Sequence, residues 1–209
     1  MTPVVVLGSG GHAAVVIEIL EAMGGYEIAG LLWDDDRPGH MVLGHRVIGG
    51  EADWTHALER GVAHAAVGLG GWTDNAARRD LFLRARAAGF QVVTPIHPDA
   101  SVSPSAAVGP GSTVCAGVVV NTGAVIGDDV ILAAGATVEH DARVGDHTLI
   151  SNGAHIGAAA TIGSGAVIAI GAVVAGRVTV GADALVSAGA VVVDDVAPGV
   201  TVRGVPARS

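Results

Sequence analysis

Residues 120–144 read VNTGAVIGDDVILAAGATVEHDARV, and an aliphatic residue recurs at every sixth place: Val120, Ile126, Leu132, Val138 and Val144. Backward, the register runs through Val114 and Val108 to Val102. Forward, it runs through Ile150, Ile156, Ile162, Ile168, Val174, Val180 and Val186 to Val192, sixteen sites in all without a break. The residue two places before each site is always Ala, Ser, Thr or Val. Chance periodicity in an alanine-rich globular domain does not hold sixteen of sixteen sites. Gly109, Gly127, Gly145, Gly163 and Gly181 add a second period of eighteen. Three six-residue units per coil predict a triangular prism of short parallel strands, a solenoid signature. Each unit turns one aliphatic side chain inward, stacked on its copy in the next coil about 4.8 Å away. The glycine repeated at one corner is expected to permit a backbone bend closed to other residues. A short solenoid leaves flat sides and open ends, which favours burial by oligomerisation.

Before this repeat the pattern differs. Val4–Leu7 reads as a buried strand, Gly8-Ser9-Gly10-Gly11-His12 as a turn, and 13–23 as a helix with Val16, Leu20 and Met23 at helical spacing. Strands follow at 28–33, 63–67 and 91–93, with a helix at 75–88. Strands alternating with helices imply a parallel sheet. The expected architecture is therefore α/β followed by all-β: a small Rossmann-like domain over residues 1–95, then a parallel β-helix over 96–209.

Composition narrows the function. Aromatic residues make up only 3% of the 209 residues, so the core must be aliphatic, and 32 glycines speak for many tight turns. The formal charge is −9, the cations are all arginine, and they are scattered, which argues against a nucleic-acid partner. A lone Cys115 excludes a disulfide framework and a cysteine-rich metal site. The longest charge-free apolar stretch near the C-terminus, 165–176, is shorter than the roughly 18 residues a membrane span needs. With no basic leader ahead of Val4, the expectation is a soluble, cytoplasmic protein.

Chemistry is concentrated in two places. Glu139-His140-Asp141 interrupts a pattern otherwise built of Ala, Gly, Asp and Ser, at a corner of the prism. Stepping by eighteen puts His140 between Thr122 and Ala158, so its imidazole faces open space or a neighbouring subunit. A flanking carboxylate favours the imidazolium formed when a histidine takes a proton, which suits a general base; a solvated corner histidine is the other reading. His147 and His155 fall elsewhere in the register, so a metal shared with His140 is not expected. The second place is the glycine turn. Gly8-Ser9-Gly10-Gly11-His12-Ala13 matches a G-x-G-x-x-A turn that offers amides and a helix N-terminus to a phosphate, with Asp34 and Asp35 at the end of the second strand. A tight turn that simply needs glycines is the alternative. About 95 residues suit one nucleotide better than a dinucleotide.

Taken in order, Gly8-Ser9-Gly10-Gly11-His12, Asp34-Asp35, Ile96-His97-Pro98, His140-Asp141 and Gly204-Val205-Pro206-Ala207-Arg208 resemble the sugar O-/N-acyltransferase family. That family includes sialic-acid O-acetyltransferases of the NeuD type and N-acetyltransferases of UDP-bacillosamine precursors and GDP-perosamine. The resemblance covers nearly the whole chain. It implies a left-handed coil of hexapeptide repeats, a homotrimer, and acetyl-CoA as co-substrate with no metal. It also implies direct transfer of an acetyl group to the amine of a nucleotide-linked sugar, for surface polysaccharide or glycan synthesis. On this likeness His140 is the catalytic base and Asp141 its partner, where glutamate is common in the family. Gly10, Gly11, His12, Asp34 and Asp35 contact the nucleotide sugar. The Ala158 amide is the oxyanion donor, and pantetheine lies along Ala158 and Gly176 between subunits. A second histidine that touches the thioester in one branch has no counterpart, since Leu149 stands there. The turn at 68–71 leans toward the perosamine-type members.

Other readings predict different things. Sugar O-acetylation differs only in the acceptor, and a non-catalytic sugar-nucleotide-binding solenoid consumes no thioester. A nucleotidyltransferase would need an early basic phosphate loop, which is absent. A serine-type acetyltransferase would open with helices rather than this alternation.

Overall fold

The computed structural model describes residues 1–34 and 39–209. Strand β1 (Thr2–Leu7) is the centre of the first half, because its alternate side chains leave opposite faces and both are buried. Val4 and Val6 pack with Ala13, Val16, Ile17 and Leu20 of helix α1 (Gly11–Met23). Val5 and Leu7 meet Trp54 and Ala57 of α2 (Trp54–Glu59) and Leu81, Phe82 and Ala85 of α3 (Ala76–Ala88). Beside β1 run β2 (Tyr26–Leu32) and β5 (His64–Val67), both parallel to it. An edge hairpin, β3 (Met41–Val42) and β4 (His45–Gly49), and β6 (Gln91–Val92) complete the order β3-β4-β2-β1-β5-β6. Every element expected from the sequence is present within two residues at each end. The hairpin and α2 were not anticipated, since a two-residue strand and a six-residue helix are too short for hydrophobic periodicity to show.

The coil begins at Ile96, which bridges to Val114. It then runs through two-residue strands in three flat faces. Face 1 stacks Ser101–Val102, Val119–Val120, Thr137–Val138, His155–Ile156, Val173–Val174 and Val191–Val192. Face 2 stacks Ala107–Val108, Val125–Ile126, Arg143–Val144, Thr161–Ile162 and Thr179–Val180. Face 3 stacks Thr113–Val114, Ile131–Leu132, Leu149–Ile150, Val167–Ile168, Leu185–Val186 and Thr201–Val202. The sixteen sites of the repeat are the inward members of these pairs. From Val114 to Val192 none is more than 3% exposed. The last coil departs from the period: Val186 pairs with Val202 rather than with residue 204, so it closes two residues early.

The eighteen-residue glycines have a different role from the one expected. Gly109, Gly127, Gly145, Gly163 and Gly181 are absent from the left-handed backbone positions. They are required because coils approach closely there: a Cβ on Gly145 would lie 2.6 Å from the Ser164 amide nitrogen. The left-handed bend falls three residues after the inward aliphatic, at Gly123, Gly135, Gly153, Gly165 and Gly171. The same step is taken by Asp129, Asp141, His147 and Asp183, polar residues that tolerate αL better than most.

The two halves are joined along face 3. Its outward residues Ile131, Leu149 and Val167 are buried, and Ile19 of α1 packs with the coil's core. The Phe82 ring lies against Gly111, and Asn75 Nδ2 donates to the His147 carbonyl at 2.9 Å.

Candidate active site

The glycine turn lies at the carboxyl end of β1, between β2 on one side and β5 on the other. This is the switch point of the sheet, where open α/β folds bind ligands. Gly8 must be glycine, for its φ is +133° and a Cβ would touch the Gly68 carbonyl at 2.8 Å. Gly10 and Gly11 face open space, with nothing within 4 Å of a Cβ at either position. Gly10 caps α1 without a side chain, so the first amides of the helix stay available to an anion. Gly11 and His12 form one wall of a cavity of about 620 Å³. The loop after β5, residues 70–73, forms a second wall. Ile131, Leu149 and Leu185 of face 3 and Ser151, Asn152, Ile170 and Ser187 at the corner toward face 1 form the rest. The indole of Trp72 stands 88% exposed at its edge. A smaller cavity of about 290 Å³ adjoins it, sharing His12, Val15 and Asn152 and adding Glu18, His97 and Cys115.

Burial, and after it the Arg78 charge, push His12 down to about 3, so the ring is neutral. Burial pushes the Cys115 thiol up to about 11, which keeps it protonated and inert as a nucleophile. Asp34 does not share this cavity. Its carboxylate accepts the Glu51 amide at 3.1 and 3.2 Å and borders a separate pocket with Trp33, Trp54 and Arg84. Of the expected acid pair, Asp34 makes these contacts, and Asp35 lies outside the described residues.

His140 stands at the corner between faces 1 and 2, just past Thr137–Val138, with its side chain 57% exposed. Its Nδ1 lies 2.9 Å from Asp141 Oδ2. Asp141 takes the left-handed bend, which turns its short carboxylate back onto the ring. Glu139, the other flanking acid, is held by Asn121 Nδ2 at 3.0 Å. One coil above, the Ala158 carbonyl accepts the Arg177 amide at 2.9 Å, while the Ala158 N–H donates to no group among the described residues. Next above is Gly176, where a Cβ would lie 2.9 Å from the Ala158 oxygen. His140, Asp141, Ala158 and Gly176 therefore share one corner, and Gly11 and His12 wall the cavity beside another. None of the first four residues lines that cavity.

His140, His147 and His155 do not converge. His155 Nδ1 meets Thr137 Oγ1 at 2.7 Å, and His147 Nδ1 meets Asp129 Oδ2 at 3.0 Å. Among the described residues no group of three or more His, Cys, Asp or Glu side chains could hold a metal. Sequence reasoning missed Arg78, which is fully buried and paired with Asp129 at 2.9 Å. The signal was available: Arg78 precedes Leu81, Phe82 and Ala85 by three, four and seven residues, on the apolar stripe of α3.

Residues 3–85 match the family described as PglD N-terminal domain, and residues 123–158 match the bacterial transferase hexapeptide family of six repeats. No curated protein sequence matches the chain. Among solved structures, the chain is similar to PerB from Caulobacter crescentus in complex with CoA and GDP-perosamine. Identity is 40%, the TM-score is 0.92, and 99% of this chain and 96% of that one are covered. A histidine-to-asparagine variant of perosamine N-acetyltransferase from the same organism, again with CoA and GDP-perosamine, gives 39%, 0.93, 99% and 95%. The acetyltransferase domain of PglB from Neisseria gonorrhoeae with acetyl coenzyme A gives 39%, 0.90, 99% and 98%. The glycine turn, the coil and these likenesses together place the chain in the sugar O-/N-acyltransferase family of left-handed β-helix, hexapeptide-repeat proteins.

Proposed function

We propose that the protein is an acetyl-CoA-dependent N-acetyltransferase acting on an amino sugar carried by a nucleoside diphosphate. One observation carries this reading: a histidine held by a carboxylate at 2.9 Å, with an uncommitted backbone N–H one coil above it, in a fold shared at about 40% identity with a protein that binds CoA and GDP-perosamine. Asp141 accepts the Nδ1–H of His140, which leaves Nε2 unprotonated and facing outward. That nitrogen takes a proton from the sugar amine as the amine attacks the thioester carbonyl. The Ala158 N–H donates to the oxygen on which negative charge develops. Collapse of the tetrahedral species forms the amide and releases the thiolate of CoA, which takes up a proton. No acyl-enzyme is needed.

Residues 1–95 hold the nucleotide sugar, with Gly10, Gly11 and His12 at the diphosphate, and residues 96–209 carry out the transfer. That His140 and the cavity lie at different corners of one chain supports the working unit we propose, a homotrimer. In it the base of one protomer faces the cavity of the next, and pantetheine runs between the coils along Ala158 and Gly176. We assign the enzyme to the cytoplasm, where acetyl-CoA and nucleotide sugars are made.

The test is thiol release from acetyl-CoA in the presence of GDP-, UDP- and dTDP-linked amino sugars. His140→Ala should lose roughly a hundredfold or more of turnover, the usual worth of a general base, while CoA affinity and oligomer mass persist. Near-normal turnover in that variant, or thiol release with none of these acceptors, refutes the proposal.

A further inference from the structure

Arg78 occupies a place on α3 where the stripe formed with Leu81, Phe82 and Ala85 calls for an aliphatic residue. It has no exposed surface, and its nitrogens face both halves of the molecule. Toward the coil, Nε lies 2.9 Å from Asp129 Oδ1, and Nη2 donates to the Gly111 carbonyl at 2.9 Å and to Thr113 Oγ1 at 3.4 Å. Toward the sheet, Nη1 donates to the Leu69 carbonyl at 2.7 Å and the Val67 carbonyl at 3.1 Å, and it stands 3.3 Å from His12 Nε2.

The last contact has a chemical consequence. The two Nη1 hydrogens go to the Leu69 and Val67 carbonyls, so charge sets the His12 contact: a guanidinium carries no acceptor, a proton on Nε2 would point at the cation 3.3 Å away, and the Nδ1–H tautomer turns the Nε2 lone pair toward it instead. The ring is neutral because burial and the Arg78 charge hold it there. Arg78 is the charged group in contact with it; Glu18 of the same helix, His97 and Cys115 share the smaller cavity. Nδ1 has no hydrogen-bond partner among the described residues and lies on the Gly70 side of the ring, 3.8 Å from where a Cβ on Gly70 would be. Gly70 and His12 both wall the 620 Å³ cavity. His12 is also the second residue of α1, among the amides that favour an anion.

We infer that Arg78 is a positioning residue that locks His12 as its Nδ1–H tautomer, so that the ring presents a fixed, neutral donor to a diphosphate oxygen of the nucleotide sugar. The donor role rests on the reading of this cavity as the nucleotide-sugar site; the tautomer does not. A neutral donor set by a buried cation keeps its proton through the pH range in which an ordinary histidine would change charge. It also ties the geometry of the nucleotide site to the coil that carries the transfer chemistry.

The decisive measurement is a two-bond proton–nitrogen correlation spectrum of the full chain labelled with ¹⁵N-histidine, with His12→Asn identifying the signals. The expected pattern is one ring with a bare Nε2 that does not change between about pH 8 and about pH 5. In Arg78→Lys, whose single ammonium cannot serve Asp129 and His12 together, the ring should become a tautomer mixture or titrate. With GDP-perosamine as the probe, Arg78→Lys should raise KM about tenfold, the worth of a hydrogen bond to a charged group, with a smaller fall in kcat. His12→Asn places an amide donor near Nδ1 and should retain binding better than His12→Gln, which places it near Nε2. An Nε2–H ring in the wild type, a ring that titrates normally, or His12→Gln outperforming His12→Asn overturns the inference, and none of these depends on Arg78→Lys folding. If no nucleoside diphosphate sugar binds the wild type, the cavity reading and the donor role fail together, while the spectrum still decides the tautomer.

Discussion

Acid should unfold this protein partly through one half-buried imidazole, and the size of the effect can be worked out. His12 falls from an ordinary 6.5 to about 3 in the folded chain, first through burial and then through the charge of Arg78. Below pH 6.5 the unfolded chain therefore takes up a proton that the folded chain refuses. Stability from this group is fully present above 6.5 and is lost as the pH falls toward 3. The slope is about 1.4 kcal/mol per pH unit per protomer, so a fall of two units costs about 2.7 kcal/mol. His12→Asn removes the titrating ring. Urea unfolding of both proteins at one protein concentration, across a series of pH values, gives the wild-type-minus-variant difference as a function of pH. Burial also pushes the Asp129 carboxyl up, with the opposite slope, but that contribution is common to both proteins and cancels in the difference. The difference should be flat above about pH 7 and fall at about 1.4 kcal/mol per unit down to about pH 4.5. Parallel profiles would refute the reasoning, because His12 would then titrate alike in the folded and unfolded chains.

Three further outcomes are expected. Gly145→Ala drives a Cβ into the Ser164 backbone and should cost about 3 kcal/mol, more than Gly153→Ala. The latter meets nothing within 4 Å and pays only for its φ of +63°, about 1–2 kcal/mol; chemical denaturation that ranks the pair the other way undoes the distinction between the two glycine classes. Asp141→Asn keeps a residue that tolerates the left-handed bend but removes the carboxylate from His140, so kcat should fall roughly tenfold or more with an unchanged melting temperature. Trp72→Ala should leave stability within about 0.5 kcal/mol, because the indole is exposed, and should raise the KM for the nucleotide sugar; unaltered kinetics would remove Trp72 from the site.

The coil was readable because its stabilising contacts repeat at short range. Every short strand buries one aliphatic side chain, so the inward face is written at each sixth residue. The alternating half was readable for a similar reason: Val4 to Leu7 is a continuous apolar run because β1 is covered on both faces. The His140-Asp141 corner stood out because a basic and an acidic side chain interrupt a run of small ones, and the structure joins the two at 2.9 Å. The eighteen-residue glycines illustrate the limit. Their period was plain, but a period does not distinguish a bend from a close approach, and the distance between coils decided it.

What the sequence by itself determined was the periodic part of the protein: the prism, the parallel sheet, the glycine turn and the corner histidine. Tertiary structure alone decided that Asp34 turns to the Glu51 amide, that the main cavity opens beside a different corner from His140, and that Arg78 joins Asp129 and Gly111 to Leu69 and His12. The physical reason is the range of the contacts. A face buried every two, four or six residues leaves its period in the chain, whereas a buried guanidinium finds its partners across separate elements, and no local pattern records which ones they will be.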